Sequence, residues 1–237
     1  GALQARSLPR PEAQMLLLHV LGQPTHARAW LLAHDNDALP GAAHARLHEL
    51  ATRRLAGEPM AYLTGSKAFY GLQLQVDARV LDPRDDTETL VDWALALLPR
   101  DAGRRVLDLG TGSGAIALAL ASERPDCAVT AVDRMPDAVA LATRNKQHLA
   151  IDNVCVLQSD WFSALQGQQF DMIVSNPPYI DEQDPHLALG DVRFEPLSAL
   201  VAGEQGMADI VHIIDQSLRM LTPGGYLLLE HGWQQGE

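Results

Sequence analysis

Asn176, Pro177, Pro178 and Tyr179 follow one another directly after an apolar stretch at 170–175, which has the composition of a strand. The Asn176 side-chain carbonyl and the Pro177 backbone carbonyl can both accept hydrogen bonds from N–H groups. A residue before proline is held extended, which fixes the direction of the two acceptors. The proline pair brings no N–H of its own to compete, and Tyr179 can cover a flat group with its ring. The motif therefore predicts a clamp for a planar amide or amine nitrogen.

A second candidate site is the glycine run at 110–114, which lies between an apolar stretch at 105–109 and a helical pattern. Glycine permits a tight turn and lets a ligand approach the backbone closely. Asp133 ends the next predicted strand, where a carboxylate can accept hydrogen bonds from the two hydroxyls of a ribose. Ala115 completes a dinucleotide-binding fingerprint with the glycines, so this loop alone leaves a nicotinamide-dependent oxidoreductase open. A strand-to-helix turn without a ligand is the plainer alternative.

The two motifs together favour methyl transfer from S-adenosylmethionine to nitrogen, because hydride transfer has no use for the clamp. An amide nitrogen is a weak nucleophile and must be positioned, and good orientation can lower a barrier by up to ~7–11 kcal/mol. No strong base is needed first, since the nitrogen becomes acidic once methylated and its proton can leave late, to water. A proline turn without a chemical role is the competing interpretation. We expect Asn176 and Pro177 to be catalytic and the following residues to bind the substrate: Asn176, Pro177, Pro178 and Tyr179.

Asp160 and Trp161 close the predicted strand at 153–158 and are candidates for binding the adenine of the cofactor. The Asp160 carboxylate can accept from the adenine amino group, and the Trp161 ring can pack on the base. A core tryptophan beside a loop aspartate explains the pair about equally well from composition alone. The expected cofactor-binding residues are Gly110, Thr111, Gly112, Ser113, Gly114, Asp133, Asp160, Trp161 and Asn176.

Hydrophobic periodicity divides the chain into three parts. Residues 1–66 have helical spacing of their leucines and predict a small helical domain, and 67–83 predict a β-hairpin linker. Residues 84–237 alternate strands and helices, which predicts an α/β domain with a parallel sheet covered on both faces. Its predicted strands span 105–109, 128–132, 153–158, 170–175 and 225–230, and its predicted helices span 114–123, 136–149 and 207–221. A further helix, capped by Asp86 or Thr87, is expected to end near Pro99.

Charge and cysteine content narrow the range of partners. The net charge is −12, from 18 basic and 30 acidic residues, whereas nucleic-acid binding usually requires a basic patch. Cys127 and Cys155 lie in apolar, strand-like stretches, which predicts two buried thiols in a reduced, cytoplasmic protein. No spacing of His and Cys indicates a metal site, and no apolar run approaches the ~20 residues of a membrane span. We expect a monomer with neither a nucleic acid nor a membrane as partner.

The chain resembles the HemK-type protein-(glutamine-N5) methyltransferases, which modify peptide-chain release factors, over nearly its whole length. The stretches that carry the resemblance are 57–65, 69–71, 175–180 and 191–196. The last is the more discriminating, because Asn-Pro-Pro-Tyr also occurs in nucleic-acid amino-methyltransferases. The resemblance implies that 57–65 is the interdomain segment and that 69–71 begins the hairpin.

The resemblance implies a class I, Rossmann-like, S-adenosylmethionine-dependent methyltransferase domain and a helical N-terminal domain that helps to dock the release factor. It also implies that 110–114 and Asp133 contact the cofactor and that Trp161 lies against its adenine. Residues 176–179 would hold the glutamine of the release factor's Gly-Gly-Gln motif, and S-adenosylhomocysteine would be the second product.

The chain departs from the family pattern in two places. Where the family has Ile-Pro-Arg-Pro-Asp-Thr-Glu, residues 82–88 read Asp-Pro-Arg-Asp-Asp-Thr-Glu. Asp82 and Asp85 are therefore expected to add negative charge near the mouth of the cofactor site and to affect loop rigidity and cofactor affinity. The family continues past the fifth strand with a helix and two more strands, so we expect C-terminal strands to be missing and 225–230 to form an exposed apolar edge.

Two alternatives to glutamine methylation stay open on the sequence. A nucleic-acid amino-methyltransferase acting on adenine N6 or guanine N2 would have to extract a base from its stack and hold the surrounding phosphates. The sequence shows neither a Lys/Arg cluster nor a separate target-reading domain for that task. A module that binds the cofactor without turnover is the non-enzymatic alternative.

Overall fold

The computed structural model describes residues 8–100 and 102–236, which fall into two compact units, the first ending at Gly65 and the second beginning at Ser66. In the first unit the described residues form α1 (Arg10–Val20), α2 (Arg28–Ala33), α3 (Gly41–Leu55) and α4 (Met60–Thr64). A core of leucines from α1, α3 and α4 joins these helices, among them Leu16, Leu50 and Leu63. Arg54 on α3 also donates two hydrogen bonds of 2.9 Å to the Glu12 carboxylate on α1.

The second unit opens with a hairpin of β1 (Ser66–Phe69) and β2 (Leu72–Gln75), which pair antiparallel. Tyr70 and Gly71 have φ values of 48° and 75°, as a two-residue type I′ turn requires. Residues 69–71, expected at the start of the hairpin, therefore contain its turn. The Tyr70 N–H donates to Glu88 Oε1 and its hydroxyl to Asp92 Oδ1, both at 2.7 Å, so the turn is attached to the helix that follows.

After the hairpin, strands and helices alternate along the chain. The helices are α5 (Thr87–Leu97), α6 (Ala115–Glu123), α7 (Pro136–His148) and α8 (Ala208–Met220). The strands are β3 (Arg105–Leu109), β4 (Ala128–Asp133), β5 (Val154–Gln158), β6 (Phe170–Ser175) and β7 (Leu221–Leu229). Short 3₁₀ turns at Pro185–Ala188, Val192–Phe194 and Leu197–Ala199 lie in the long connection between β6 and α8.

The five strands form one parallel sheet in the order β5-β4-β3-β6-β7. The order reverses between β3 and β6, and this is the switch point at which open α/β sheets bind ligands. Both strands are almost completely buried there. The Ser175 hydroxyl donates to the Leu109 carbonyl at 2.7 Å and so joins the carboxyl ends of the two strands. The predicted α/β fold with a parallel sheet is confirmed.

Two details differ from the sequence-based expectations. Cys155, expected to be buried, is exposed, whereas Cys127 is buried. The reason is strand order: β5 lies at an edge of the sheet and pairs only with β4 among the described residues, so one side of the strand is open. Strand β7 begins at Leu221 rather than at 225, because Leu221 already pairs with Phe170 before an irregularity in the ladder.

Strand β7 forms the other edge of the described sheet, with β6 as its neighbour. Tyr226 on this strand is 45% exposed and Leu218 on α8 is 81% exposed. The apolar surface expected at this edge is therefore partly open in the described part of the chain. Among the described residues, no helix is both long and apolar enough to cross a bilayer.

Candidate active site

The carboxyl ends of the central strands line a cavity of about 330 Å³. Each strand from β3 to β6 contributes the residues that follow it or end it, so the cavity lies at the switch point of the sheet. The lining includes most of the residues expected in the site: Gly110, Thr111, Gly112, Ser113, Asp133, Asp160, Trp161, Asn176 and Pro178.

The glycine loop after β3 needs its glycines for different reasons. Gly110 is favoured by its φ of 69°, because an added Cβ would make only ordinary van der Waals contact, at 3.7 Å, with the Trp161 ring. Gly114 does not line the cavity. It caps α6 with a φ of 86°, and a Cβ there would lie 3.0 Å from Leu118 Cδ1 and 3.3 Å from Ala142 Cβ. Gly114 thus shapes the turn into α6 from behind the cavity wall.

Asp133 at the end of β4 fixes the glycine loop. Its Oδ2 accepts from the Gly112 N–H and its Oδ1 accepts from the Met135 N–H, both at 2.9 Å. Burial raises the pKa of Asp133, and these backbone hydrogen bonds act in the opposite direction. Each carboxylate oxygen keeps a further lone pair, so Asp133 can hold the loop and still accept from a ligand hydroxyl.

Asp108 on β3 supports the same loop from the core and was not predicted as a site residue. Its side chain is completely buried, and Oδ2 accepts from the Thr111 hydroxyl at 2.7 Å and from the Ala117 N–H at 3.2 Å. Oδ1 has no hydrogen-bond partner among the described residues. Burial raises the pKa of Asp108 to about 7, because no positive charge offsets the loss of solvent.

Asp160 and Trp161 form the wall of the cavity that follows β5. Trp161 has a φ of 48°, which is uncommon for a residue with a side chain. The Ser159 hydroxyl donates to the Trp161 carbonyl at 2.7 Å and holds this conformation. The ring is partly buried against the main core and lies beside Gly110, while Asp160 is exposed at the rim. A flat ring and a carboxylate therefore stand next to each other at one end of the cavity.

A second cavity, of about 200 Å³, adjoins the first. Pro177 and Tyr179 line only this second cavity, and Pro178 lines only the first. Asn176 lines both cavities, as do Leu81, Arg84 and Ala199. The four consecutive residues 176–179 thus form the boundary between two adjacent compartments, and Asn176 is accessible from each of them.

The hydrogen bonds of Asn176 leave its carbonyl free. Its Nδ2 donates to the Thr87 hydroxyl at 3.2 Å, and that hydroxyl donates to Glu230 Oε2 at 2.7 Å. The Tyr179 hydroxyl donates to Glu230 Oε1 at 3.3 Å. No group in the described residues donates to Asn176 Oδ1 or to the Pro177 carbonyl. Two acceptors on neighbouring residues are therefore available to a donor in the smaller cavity.

Tyr179 stays a neutral phenol at ordinary pH. Burial raises its pKa to about 12, and the neighbouring Glu230 carboxylate adds to the shift. Tyr179 can therefore donate a hydrogen bond and offer its ring, but it does not act as a base.

The residues that close the cavities opposite the strand ends were not predicted from the sequence. They come from the segment after the hairpin and from the connection before α8: Arg79, Val80, Leu81, Pro83, Arg84, Thr87, Ser198, Ala199, Val201, Ala202, Gly203 and Asp209. The sequence predicts Asp82 and Asp85 near the mouth of the cofactor site and a family motif at 191–196, but it assigns no residue of these two stretches to the site. The signal in the sequence that could have indicated them is the presence of two family-related stretches, 82–88 and 191–196, on either side of the predicted site motifs.

Arg84 joins these two segments. Its Nη2 lies 2.6 Å from Glu195 Oε1, and the Glu195 side chain has no exposed surface. Burial raises the pKa of Glu195 to about 7 in spite of this cation. Asp82, where the family has isoleucine, is largely buried with one oxygen unpartnered in the described structure, and burial raises its pKa. Asp85 instead lies at the surface, 3.3 Å from Lys67.

The described residues contain no group of three or more His, Cys, Asp or Glu side chains that could hold a metal ion. The site presents amide, carbonyl, hydroxyl, carboxylate and aromatic groups of the chain to whatever the cavities bind.

Comparison with known proteins identifies relatives along the whole chain. Residues 87–195 match the family model "Methyltransferase small domain", and residues 1–65 match "PrmC N-terminal domain". An Escherichia coli (strain K12) protein named release factor glutamine methyltransferase is 64% identical over 235 residues, which cover 99% of this chain and 83% of that protein. A protein of the same name from Salmonella typhimurium is 64% identical over 229 residues, with 97% and 81% covered.

A solved structure is similar in fold to this chain over part of its length. It is the T. thermophilus 16S rRNA N2 G1207 methyltransferase in complex with AdoMet and guanosine, with a TM-score of 0.50 and 25% identity. The likeness covers 69% of this chain and 40% of that one.

Proposed function

The chain belongs to the release factor glutamine methyltransferase family, and we propose that it transfers a methyl group from S-adenosylmethionine to a release-factor glutamine. The acceptor is the side-chain amide nitrogen, N5, of the glutamine in the Gly-Gly-Gln motif. The observation that carries the proposal is the position of Asn176, which lines the large cavity and the small one together. A donor bound on one side and an amide bound on the other would meet at this residue.

The large cavity suits S-adenosylmethionine in its chemistry. Asp133 retains acceptor capacity for the ribose hydroxyls, and the Trp161 ring beside Gly110 offers a flat apolar surface for the adenine. Asp160 at the rim offers an acceptor for the adenine amino group. The backbone of the loop at 110–113 would lie against the bound cofactor. Gly114 would not touch the cofactor but would allow the turn into α6. When bound, the cofactor supplies a methyl group on a positively charged sulfur.

The residues of the chain act on the glutamine amide. Asn176 Oδ1 and the Pro177 carbonyl accept from its two N–H groups, which holds the nitrogen in one orientation. Tyr179 covers the plane of the amide, and Pro178 keeps the backbone extended. Positioning is the main contribution to rate, because 176–179 offers the nitrogen acceptors rather than a base. After transfer the nitrogen is strongly acidic, and its proton leaves to water.

We also propose that the first unit, which matches the PrmC N-terminal domain, contributes to docking the release factor. The protein would act as a monomer in the cytoplasm, where such a substrate is found. Light scattering at the concentration used for assays tests the oligomeric state, and a stable dimer would contradict this part of the proposal.

The substrate is tested by methyl transfer from labelled S-adenosylmethionine to a panel of acceptors. The panel contains an intact release factor, the same factor with its tip glutamine changed to alanine, bulk DNA and tRNA. We expect label on the intact factor alone, in keeping with the net charge of −12. Label on DNA or tRNA would instead support an amino-methyltransferase of nucleic acid, and equal label on both factors would place the modification elsewhere on the protein.

A further inference from the structure

The orientation of the Asn176 amide follows from the protons available around it. Thr87 has one hydroxyl proton, and it donates this proton to Glu230 Oε2 at 2.7 Å. A carboxylate can only accept, so Thr87 must be the donor and Glu230 the acceptor in this hydrogen bond. The Thr87 oxygen is left with lone pairs alone for Asn176, which lies 3.2 Å away. Asn176 must therefore turn its NH₂ group to Thr87 and leave Oδ1 on the other side.

The backbone of Glu230 is held in place by the sheet. Ser175 pairs with Leu229 in the parallel ladder, and the Glu230 N–H donates to the Ser175 carbonyl at 3.0 Å. The residues that follow β6 and β7 are therefore neighbours, so Glu230 lies beside the 176–179 motif. The second carboxylate oxygen accepts from the Tyr179 hydroxyl. Glu230 thus orients the residues at both ends of the motif.

Thr87 is equally well fixed. It is the first residue of α5 and only 4% of its surface is exposed. Asp86, which occupies the N-cap position, makes no capping hydrogen bond with its side chain. No backbone N–H among the described residues donates to the Thr87 hydroxyl, which instead donates to Glu230 and accepts from Asn176. The hydroxyl of Thr87 therefore links Glu230 to Asn176 and does not serve the helix end.

We propose that Thr87 and Glu230 are positioning residues that set the polarity of Asn176, so that the site accepts an N–H donor and rejects an acceptor. The inference rests on the proposed function, since it concerns how the glutamine amide is selected. Discrimination arises because a carboxylate in the same place would face two carbonyl oxygens with no proton between them. The site would therefore distinguish glutamine from glutamate, which has the same shape.

Thr87→Val keeps the shape of the side chain and removes the hydroxyl. The Asn176 amide can then rotate and present NH₂ to the smaller cavity. We expect kcat for the intact release factor to fall by about 10–100-fold, with a smaller change in KM. The preference in Kd for the intact factor over the same factor with a Gln→Glu tip should fall by about ten-fold. Thr87→Ser, which restores the hydroxyl, should restore both values.

Thr89→Val is the matched control, because Thr89 lies on the same helix and is exposed. Binding of S-adenosylhomocysteine and thermal unfolding would show that each variant is folded. Glu230→Gln offers a second test: its amide can donate to Thr87, which frees the hydroxyl proton for Asn176 Oδ1, so the preference for glutamine should also fall.

The outcomes separate this inference from the proposed function. Wild-type protein that leaves the release factor unmethylated contradicts the function, and the inference with it. If the wild type is active but Thr87→Val weakens the binding of both factors equally, the inference alone is contradicted. The same holds if Thr87→Ser does not restore the glutamine preference. A selective loss of the glutamine preference in Thr87→Val and Glu230→Gln, with rescue by serine, supports it.

Discussion

At the scale of single residues, the site depends on groups whose hydrogen-bonding capacity is only partly used within the chain. Asn176 uses its NH₂ group on Thr87 and keeps its carbonyl, and Asp133 orders the glycine loop while retaining lone pairs. Such groups are already oriented before a ligand arrives, so little freedom has to be lost on binding. In the proposed function, the same orientation lets the site act on the nitrogen without a strong base.

Asn176→Ala removes one of the two acceptors that we propose for the amide nitrogen. We expect turnover to fall by about 100-fold or more, because the acceptor is most useful once the nitrogen is held for attack. Cofactor affinity, measured by calorimetry, should change by less than about three-fold, since Asn176 forms only one part of the large cavity. Near-normal turnover in this variant would show that the amide is held by other groups.

Asp108 gives the protein a dependence of stability on pH. Its pKa in the folded state is about 7, above the ordinary value of 3.8, so the folded state binds its proton more tightly than the unfolded chain. This contribution to stability is present at acid pH and is lost as the pH rises from about 4 to about 7. The loss should be on the order of 4 kcal/mol.

Asp108→Asn should abolish that component. Urea unfolding of wild type and variant, measured from pH 4 to pH 8, is expected to show the wild type losing stability relative to the variant across this window. The carbonyl of the introduced amide can still accept from the Thr111 hydroxyl, so the loop keeps this support. If the free energies of unfolding of wild type and variant change in parallel with pH over the whole range, the pKa of Asp108 does not differ between the folded and unfolded states.

At the scale of elements, the glycine loop is held by a residue of helix α7 that does not line the large cavity. Asn145 on α7 is completely buried, and its amide donates to the Gln75 carbonyl at 2.9 Å and to the Ser113 carbonyl at 2.8 Å. Its Oδ1 accepts from the Gln75 N–H at 2.7 Å. One side chain therefore ties β2 of the hairpin to the loop that borders the large cavity.

Asn145→Ala should destabilise the protein by about 2–4 kcal/mol, since one buried and two partly buried backbone groups lose their partner. It should also weaken cofactor binding by about five-fold or more, because the loop is no longer fixed through Ser113. Asn153→Ala is the matched control. Asn153 donates to the carbonyls of Ala121, Arg124 and Cys127, all outside the cavity walls.

The control should lose comparable stability and keep its cofactor affinity. Calorimetry with S-adenosylhomocysteine and thermal unfolding measure both quantities on the same samples. If Asn145→Ala and Asn153→Ala weaken the cofactor equally, the loss reflects general instability rather than the link between hairpin and loop.

The site residues that could be predicted from the sequence are those that belong to short local motifs. The glycine loop, Asp133 and 176–179 each follow or end a strand, and parallel strands bring their carboxyl ends to one edge. Thr87 and Glu230 could not be found in this way, because they lie 89 and 143 residues from their partners Asn176 and Thr87, respectively. Cys155 was misplaced for a related reason: edge and central strands differ in their neighbours, which the local pattern does not specify.

At the scale of the whole molecule, the second unit brings together two cavities that share the wall formed by Asn176, and the first unit adds a helical domain with its own core. The acidic net charge suits a protein acceptor better than a phosphate backbone. The described fold, the shared wall and the family all agree with methyl transfer to an amide nitrogen. The identity of the modified atom is the central claim.

Tandem mass spectrometry of the release factor after reaction with S-adenosylmethionine tests that claim most directly. Wild-type protein should add one methyl group to the tip glutamine, and acid hydrolysis should release it as methylamine, which only an N-methylated amide yields. Asn176→Ala, assayed in parallel, should leave the tip almost unmodified. A methyl group on another residue, or one that is not released as methylamine, would contradict the assignment of 176–179 as a clamp for the glutamine amide.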